Sequence, residues 1–545
     1  MNWVFWFFIL NFIIVGHSQK CSQVYDNKNV SQYILCNNVL SMNDISEEIK
    51  SNWVSVKIVN KAPTHTQFSN VAVNVPYLNY IQTLDLSRVG TLNFTDTGFS
   101  NSYDALKFLD LSNTGLTALK PQWFARKTIE TLDLSRNILT ELKREHMKFF
   151  PRLRVFNASN NDLKHLEANT FIDLKKIEVI VLNNNHIPHV HFESVENLKY
   201  LNLRSNKIPN IWATLTKMPN LEIIIIAENE INAINDRSFE TLTNLKHFNL
   251  SYNNLPHISG AFGGCEKTKL TELDLSYNVI QVLYANCFQD LPLLTFLDIS
   301  NNRITDINDR VFFKQTLLQT LNLSKNRIAT ITVKSFENLL QLRTMDISYN
   351  KLKTFNYDLF GNKFTGNRLR KLNLNNNELV SLDNSLFAVL RNLVSLNLSS
   401  NKFKNISTEI FKSNVNMQEF FLDDNEIEFI NANFFKNMPA LEEISLQNNR
   451  ISFIPDYSHL KKFQKASISN NPFQCICLRE FIVWARTNKV KIVSTKTNVK
   501  NPDCVVVTEN NSCVKDENII LGFDLYNRFL DGMPFEENER ANFEF

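Results

Sequence analysis

The chain has 545 residues, of which 43% are hydrophobic and 21% are charged, and its formal net charge is only +3. This balance is typical of a folded protein and gives no reason to expect nucleic acid as a partner. Glycine is scarce, at 11 residues, and neither GxxxxGK(S/T) nor GxGxxG occurs, so loops that cradle phosphate groups are not expected.

The N-terminal segment predicts a secretory signal peptide. Residues 3–16 (WVFWFFILNFIIVG) form an apolar run of 14 residues, and small residues at Gly16 and Ser18 suit a cleavage site. The alternative is a membrane anchor, but the run is shorter than the roughly 20 residues that a spanning helix needs. No second run of that length follows. We therefore expect residues 1–18 to be removed and the mature protein to be secreted and extracellular, without a membrane span.

Most of the chain repeats the pattern LxxLxLxxN with an apolar tail, at a period of about 24 residues, as in Leu270–Phe288 (LTELDLSYNVIQVLYANCF). The ninth position is Asn in fifteen of seventeen frames, and Val89 and Thr114 are the exceptions. The chain turns inward there and buries backbone groups, and an Asn amide supplies both donors and an acceptor. We therefore expect an Asn ladder that bonds each repeat to the next. A Phe ten residues after most of these Asn residues predicts a buried aromatic column.

Such a period is typical of leucine-rich repeats, which stack into a solenoid. The predicted fold class is an α/β-type leucine-rich repeat solenoid. It has a curved parallel sheet on the concave side, irregular or short helical turns on the convex side, and disulfide caps at both ends. The predicted layout is a signal peptide at 1–18, an N-terminal cysteine cap at 19–52, about 17–18 repeats at 53–470, a C-terminal cysteine cap at 471–513 and an acidic tail at 514–545.

Cysteines mark the two predicted caps. Cys21 and Cys36 enclose a short segment, and a disulfide-closed hairpin there covers the first repeat. At the other end, Cys475 and Cys477 begin a segment of helical spacing, and Cys504 and Cys513 follow. Spacing alone leaves all three pairings of these four cysteines open.

The second cysteine group carries a resemblance to a known family. Asn471-Pro472-Phe473, the Cys-x-Cys, Trp484 and the two later cysteines resemble the C-terminal cap of extracellular leucine-rich repeat proteins. The resemblance implies the pairs Cys475–Cys504 and Cys477–Cys513. The layout of residues 21–513 is similar to Toll-like ectodomains, growth-factor-carrier subunits and mosquito leucine-rich immune proteins.

Two further cysteines, Cys265 and Cys287, lie in neighbouring repeats. We expect a disulfide between them in a secreted chain, and two free buried thiols are the alternative.

The sequence offers no catalytic set, such as HExxH, a nucleophile elbow or CxxC, so we expect neither an enzyme nor a cofactor. His186, His189 and His191 form the one histidine cluster. Neighbouring imidazoles suit zinc or a pH-sensing site, but solvated turn histidines are the favoured interpretation, and no metal site is predicted.

The candidate partner surface is the inner face of the sheet, because side chains at positions three, five and seven point away from the core. The face begins acidic, with Asp85, Asp110 and Asp133. It then becomes apolar, and exposed apolar patches often mark partner sites. The predicted partner-binding patch comprises Val179, Val181, Tyr200, Ile223 and Ile225. An unused face is the alternative.

Position eight carries Tyr252, Tyr277 and Tyr349, and aromatic rings with a polar tip suit protein or carbohydrate contacts. Sequons for N-glycosylation lie at Asn29, Asn93, Asn157, Asn249, Asn322, Asn397, Asn405 and Asn510. Those at 157, 249, 322 and 397 occupy position five, where the repeat consensus itself generates the motif.

The predicted function is that of a secreted, non-enzymatic recognition protein. It binds a protein or a glycoconjugate through the concave or flanking surface, in innate immunity or as a carrier. The alternative is a structural protein of the extracellular matrix or of adhesion. The sequence does not determine the oligomeric state.

Overall fold

The computed structural model forms two compact units, Met1–Asn206 and Lys207–Phe545, and each is described by itself below. The boundary follows the shortest spacing between ladder residues, that from Asn185 to Asn206. The structure describes residues 21–25, 32–39, 42–45, 48, 50–59, 67–69, 77–93, 103–120, 123, 128–190, 192, 195–211, 215, 218–258, 260–361, 364, 368–383, 385–493, 504 and 512–515. The predicted signal peptide and nearly all of the predicted acidic tail lie outside these residues.

The first unit is a sheet that begins with an antiparallel hairpin and continues in parallel. Its strands are β1 (Cys21–Tyr25), β2 (Gln32–Asn37), β3 (Ser55–Val59), β4 (Gln67–Ser69), β5 (Thr83–Asp85), β6 (Thr91–Asn93), β7 (Phe108–Asp110), β8 (Thr131–Asp133), β9 (Glu141–Leu142), β10 (Val155–Asn157), β11 (His165–Leu166), β12 (Val179–Val181) and β13 (Tyr200–Asn202). β1 pairs with β2, and β2, β3, β5, β7, β8, β10, β12 and β13 then follow in parallel. β4 pairs with β6 and β9 with β11, away from that sheet.

The second unit continues the same architecture. Its strands are β14 (Ile223–Ile225), β15 (His247–Asn249), β16 (Glu272–Asp274), β17 (Phe296–Asp298), β18 (Asp306–Ile307), β19 (Thr320–Asn322), β20 (Thr330–Ile331), β21 (Thr344–Asp346), β22 (Lys371–Asn373), β23 (Ser395–Asn397), β24 (Asn405–Ile406), β25 (Glu419–Phe421), β26 (Phe429–Ile430), β27 (Glu443–Ser445), β28 (Lys465–Ser467) and β29 (Lys491–Val493). The main parallel sheet runs through β14, β15, β16, β17, β19, β21, β22, β23, β25, β27, β28 and β29. β18–β20 and β24–β26 pair separately.

Helices are few and short within the described residues. They are α1 (Arg144–Met147), α2 (Leu386–Val389) and α3 (Cys475–Thr487), with 3₁₀ turns at Met42–Ile45, Leu78–Tyr80, Cys265–Lys267, Tyr357–Leu359, Thr408–Phe411 and Phe434–Asn437. None of these helices is long and apolar enough to cross a membrane. The predicted solenoid, with a parallel sheet on one side and irregular turns on the other, is confirmed in each unit.

The repeat pattern explains the short strands. Most main-sheet repeat strands cover positions three to five, and in strands such as β8, β12 and β17 the residue at position four is buried between two partly exposed neighbours. In β16, Leu273 is fully buried, as is Leu275 at position six. Because strand side chains alternate, positions three and five stand on the opposite side of the sheet. We call that side the open face.

The Asn ladder is confirmed. Asn278 donates from Nδ2 to the carbonyl of Leu275 in its own repeat, at 3.0 Å, and to that of Leu250 in the preceding repeat, at 3.1 Å. Its Oδ1 accepts the N–H of Leu255, also in the preceding repeat, at 3.0 Å. One side chain therefore satisfies buried backbone groups of two turns, and leaving such a group unpaired costs about 1–3 kcal/mol.

The predicted aromatic column is present in the second unit. In the second unit the ring centroids of Phe288 and Phe312 lie 6.1 Å apart, and those of Phe312 and Phe336 lie 6.3 Å apart. All three side chains are buried. Stacked repeats thus share one continuous core, in which each repeat covers the apolar side chains of its neighbour.

Disulfides lie near both ends of the chain. Cys21–Cys36 joins β1 to β2, with the Cα atoms 4.0 Å apart. Cys475–Cys504 and Cys477–Cys513 confirm the pairing that the family resemblance implied. The predicted helical segment is α3, which buries Leu478 and Phe481 among other apolar residues. The last described strand, β29, pairs with β28, so the segment that follows α3 adds one more strand to the second unit's sheet.

The predicted Cys265–Cys287 disulfide is wrong in this structure, because both residues are free thiols. Cys265 lies twelve residues after its ladder Asn, whereas Cys287 lies nine after its own. Stacked turns bring equivalent positions together, and the residue beside Cys265 is Asp290, whose Oδ2 accepts the N–H of Gly264 at 2.9 Å. Burial raises the pKa of both thiols to about 12, so neither is a reactive thiolate at neutral pH.

Candidate functional site

The open face of the first unit carries a row of position-three side chains that are apolar except for Thr131. Strand register aligns Phe108 with Thr131, Thr131 with Val155, Val155 with Val179, and Val179 with Tyr200. Phe108 is 45% exposed, and the later members are half-buried. The fourth-position residues between them point into the core, so this row is the apolar surface that the repeats leave accessible. We call it the apolar row.

A second row, at position five, runs beside it and is acidic at its start. Asp85, Asp110 and Asp133 stand in register on β5, β7 and β8. Lys57 pairs with Asp85 at one end, and Asn157 donates to Oδ2 of Asp133 at 2.8 Å at the other. We call the three carboxylates the acidic row.

Asp110 has no such partner on either side. Its Oδ1 accepts the N–H of Ser112 at 2.8 Å, while its neighbours in the row are both carboxylates. Burial, and then the charge of Asp85, raise the pKa of Asp110 from 3.8 to about 6. The first-unit face therefore presents apolar side chains beside three carboxylates, the middle one of which is flanked by the other two.

Ion pairs border these rows at position two. Arg154 Nε donates to Oε1 of Glu178 at 2.8 Å, and Lys199 Nζ lies 3.1 Å from Oε2 of the same carboxylate. The hydrogen bond from Arg154 is the largest contribution to the lowered pKa of Glu178. Exposed pairs of this kind add little stability, so they mainly fix the charge pattern along the edge of the face.

The predicted partner-binding patch is divided between the two units. Val179 and Tyr200 lie on β12 and β13 of the first unit and belong to the apolar row, whereas Val181 lies at position five of β12, in register with Asn157. Ile223 and Ile225 lie on β14 of the second unit. All five are half-buried on an open face, as the alternation of strand side chains predicted. Phe108, the most exposed member of the apolar row, was missed because it lies among acidic repeats; its position-three register would have identified it.

The second unit exposes tyrosines along position eight. Tyr252 and Tyr277 are 47% and 40% exposed, and their rings stack with centroids 4.0 Å apart and planes 8° apart. Tyr349, further along, lies under Nζ of Lys325, which is 5.8 Å from the ring centroid. The sequence identified these residues, but only the structure shows that the first two form one stack.

The predicted sequons fall into distinct settings. Asn405 is exposed at the start of β24. Asn157, Asn249, Asn322 and Asn397 are half-buried on the open faces, and Asn322 Nδ2 donates to Oδ2 of Asp298 at 2.9 Å. Asn93 ends β6, and Asn29 and Asn510 lie outside the described residues. Glycosylation at all eight sites stays a prediction.

The histidine cluster gains no support as a metal site. His186 and His189 are exposed, and His191 lies outside the described residues. Among the residues that the structure describes, no group of three or more His, Cys, Asp or Glu side chains could hold a metal ion.

Comparisons with known proteins agree with this architecture. The model of the family described as "Leucine rich repeat" matches more than half of the chain, at residues 127–187, 219–269, 266–304, 294–352, 316–362, 367–427 and 415–473. Among curated proteins, Transforming growth factor beta activator LRRC33 of Danio rerio is 27% identical over 162 residues, which is 28% of this chain and 23% of the relative. Toll-like receptor 2 type-2 of Gallus gallus is 30% identical over 111 residues, 19% of this chain and 14% of the relative. These matches span less than a quarter of each relative's length.

Solved structures show the same fold. Drosophila Toll in its complex with Spatzle matches with a TM-score of 0.65 at 16% identity, over 88% of this chain and 73% of that chain. A leucine-rich repeat protein of Leptospira interrogans matches with a TM-score of 0.62 at 24% identity, over 71% of this chain and 95% of that chain. The chain repeats the pattern LxxLxLxxN, its Asn residues form the ladder described above, and the family model matches more than half of it. We conclude that this chain belongs to the leucine-rich repeat family.

Proposed function

We propose that this protein is a secreted, non-enzymatic recognition module that binds a protein partner through the open face of its first unit. The observation that supports this is the apolar row on a solvent-facing sheet. A soluble protein gains nothing in stability from Phe108, Val179 and Tyr200 at positions that point away from its core. Contiguous apolar side chains on such a surface are typical of partner sites.

The acidic row indicates a second property of the partner, which is a basic border around its apolar contact surface. A partner that covers the apolar row brings its own rim against Asp85, Asp110 and Asp133, and carboxylates favour basic side chains there. We therefore expect a partner with an apolar contact surface and a basic border. The name of the Drosophila neighbour pairs Toll with a protein ligand, Spatzle, and the name of the zebrafish relative concerns a growth factor. A role in innate immunity or as a growth-factor carrier is the finer form of the proposal.

The test is affinity capture from extracellular fluid, with mass spectrometry of the retained proteins. The double variant Val179→Asp/Val181→Asp places two charges in the face, and we expect its affinity for the captured partner to fall roughly tenfold or more, as for a buried interface position. A matched control is Val333→Asp/Val415→Asp, because these valines are 56% and 50% exposed on turns outside the main sheet. Equal capture by both double variants, with thermal unfolding unchanged, would remove the first-unit face from the proposal.

A further inference from the structure

A second surface, in the second unit, is a row of positive charges beside the Asn ladder. Arg303, Arg327 and Lys351 each follow a ladder Asn directly, at position ten, in three successive repeats. All three residues are exposed. We call them the basic row. It shares no residue with the apolar row or the acidic row of the first unit.

Backbone hydrogen bonds hold the basic row in register. The N–H of Arg327 donates to the carbonyl of Ile304 at 2.9 Å, and the N–H of Lys351 donates to that of Ile328, also at 2.9 Å. Each bond joins position ten of one repeat to position eleven of the repeat before it. Successive members therefore lie on stacked turns, with their backbones separated by roughly the 5 Å that separates adjacent strands.

The repeats that follow show what happens at position ten when the charges alternate. Glu378, Lys402, Glu426 and Arg450 occupy this position in the next four repeats. Lys402 Nζ lies 3.2 Å from Glu378 Oε2, and Arg450 Nη2 lies 3.5 Å from Glu426 Oε2. Side chains at position ten thus reach their neighbours on adjacent turns and form ion pairs there.

The basic row has no carboxylate between its members. Arg327 lies between Arg303 and Lys351, and the carboxylate that follows Lys351, that of Glu378, is engaged by Lys402. Among the residues that the structure describes, none of the three members takes part in an ion pair. Like charges on neighbouring backbones repel one another, so an anion placed along the row would relieve this repulsion.

The surroundings of the basic row are also positive. Lys325 lies at position eight, with Nζ 5.8 Å from the ring centroid of Tyr349, and exposed Lys353 lies at position twelve. Positions eight to thirteen of the three repeats hold five cations and one carboxylate. That carboxylate, of Asp306, accepts the hydroxyl of Thr305 at 2.7 Å. The positive field therefore extends along three turns of the solenoid.

We propose that the basic row binds a sulfated glycosaminoglycan chain that lies along the stacked repeats. Such a chain carries sulfate and carboxylate groups at intervals along its length, so several of them can face the cations of successive turns together. The guanidinium groups donate paired N–H bonds to oxyanions, and Lys351 adds a point charge. The inference goes beyond the protein-binding role proposed above, and it rests on that role only in taking the protein to be secreted.

An acidic peptide is the other polyanion that such a surface could bind. Peptides gain affinity from main-chain hydrogen bonds at a free strand edge, or from pockets that accept their side chains. The N–H groups at position ten are already bonded to the preceding repeat, and the adjacent Ile304 and Ile328 are fully buried. The basic row therefore offers charge and side-chain donors, which favours a sulfated glycan.

The test measures binding of a heparin-derived octasaccharide to the full-length protein, with the fully desulfated octasaccharide and octa-glutamate as comparison ligands. We expect saturable binding of the sulfated octasaccharide that weakens with added salt, because exposed charges are screened. Arg303→Gln/Arg327→Gln/Lys351→Gln should weaken this binding about tenfold or more. Arg327→Glu alone should also weaken it, because an acid in the middle makes the row alternate as it does at Glu378 and Lys402.

A matched control removes the same amount of charge elsewhere in the second unit. Lys436→Gln/Lys461→Gln/Lys462→Gln neutralises three exposed cations outside the basic row, and it should bind the octasaccharide as the unaltered protein does. Thermal unfolding of Arg327→Glu should be unchanged, because exposed ion pairs add little stability.

Three results would overturn the proposal: equal loss of binding in the control, undiminished binding by the triple variant of the basic row, and equal binding of the desulfated octasaccharide. Octa-glutamate that binds as tightly as the sulfated octasaccharide would also overturn it, in favour of an acidic peptide. Because the probe is a purified glycan, the result is independent of whether the first-unit face captures a protein.

Discussion

Replacing Asp110 by Asn should change how the stability of the first unit depends on pH. Asp110 stands between Asp85 and Asp133 in the acidic row, and burial and the charge of Asp85 raise its pKa from 3.8 to about 6. A raised pKa in the folded protein means that the folded state holds this proton more tightly than the unfolded state does. Folding is therefore favoured most below about pH 4, and that stability is lost as pH rises through about 6.

The magnitude follows from the pKa. Each tenfold change in proton affinity is worth about 1.4 kcal/mol, so the largest pH-dependent cost is about 3 kcal/mol. Asp110 keeps some contact with solvent, which reduces this figure, and we expect about 1–3 kcal/mol. Asn cannot ionise and avoids this cost. Relative to the unaltered protein, Asp110→Asn should therefore gain about that much stability between pH 4 and pH 7.

Hydrogen–deuterium exchange of peptides that contain β7 measures this locally, which suits a repeat protein whose turns open in small groups. The difference in opening free energy between variant and unaltered protein is compared at each pH, so that the intrinsic pH dependence of exchange cancels. Asp346→Asn is the matched control, because Asp346 stands between Asn322 and Asn373 rather than between carboxylates. A difference for Asp110→Asn that stays constant from pH 4 to pH 7 would refute the reasoning.

Four further results are expected. Unfolding without reductant should release two thiols per chain, from Cys265 and Cys287, in a thiol titration; a count near zero would contradict the structure. Asn278→Ala should destabilise its repeat by roughly 2–4 kcal/mol in hydrogen exchange, because it leaves buried backbone groups unpaired. Cys504→Ser should cost about 2–5 kcal/mol in denaturant unfolding of the C-terminal end. Glycopeptide mapping should find Asn405 occupied more fully than Asn322, whose amide is hydrogen-bonded; the reverse order would disprove this.

The periodic part of the fold was predictable because each repeat faces the same physical demand. An Asn pairs with the buried backbone groups of each inward turn, and a Phe fills the core behind most of these turns. Both residues recur at fixed distances along the sequence, and both appear in the structure as expected. The cysteine pairs of the C-terminal end were not predictable from spacing, and the family resemblance supplied them. In contrast, the Cys265–Cys287 prediction failed because it ignored register: a difference of three positions places Asp290, not Cys287, beside Cys265.

The candidate sites were predictable only in outline. Alternation along the strands placed Val179, Val181 and Tyr200 on the open face correctly. The raised pKa of Asp110 depends on which side chains flank it across the sheet, and the Tyr252–Tyr277 stack depends on the left-handed backbone at position eight. Both arise from contacts about 24 residues apart, which a local reading of the sequence does not show. The division of the chain after Asn206 lies near the shortened spacing, but spacing alone did not predict it.

The Asn ladder also constrains how this chain can change length over evolution. Each rung bonds to its own turn and to the turn before it, as Asn278 does with Leu275 and Leu250. Duplication or deletion of one whole repeat joins a complete rung to an equivalent neighbour and preserves every bond. Insertion of a single residue between a strand and its Asn instead moves the amide away from both carbonyls. Genes for such proteins should therefore tolerate growth and loss in steps of about 24 codons, and select against smaller steps within the strand-to-ladder segment.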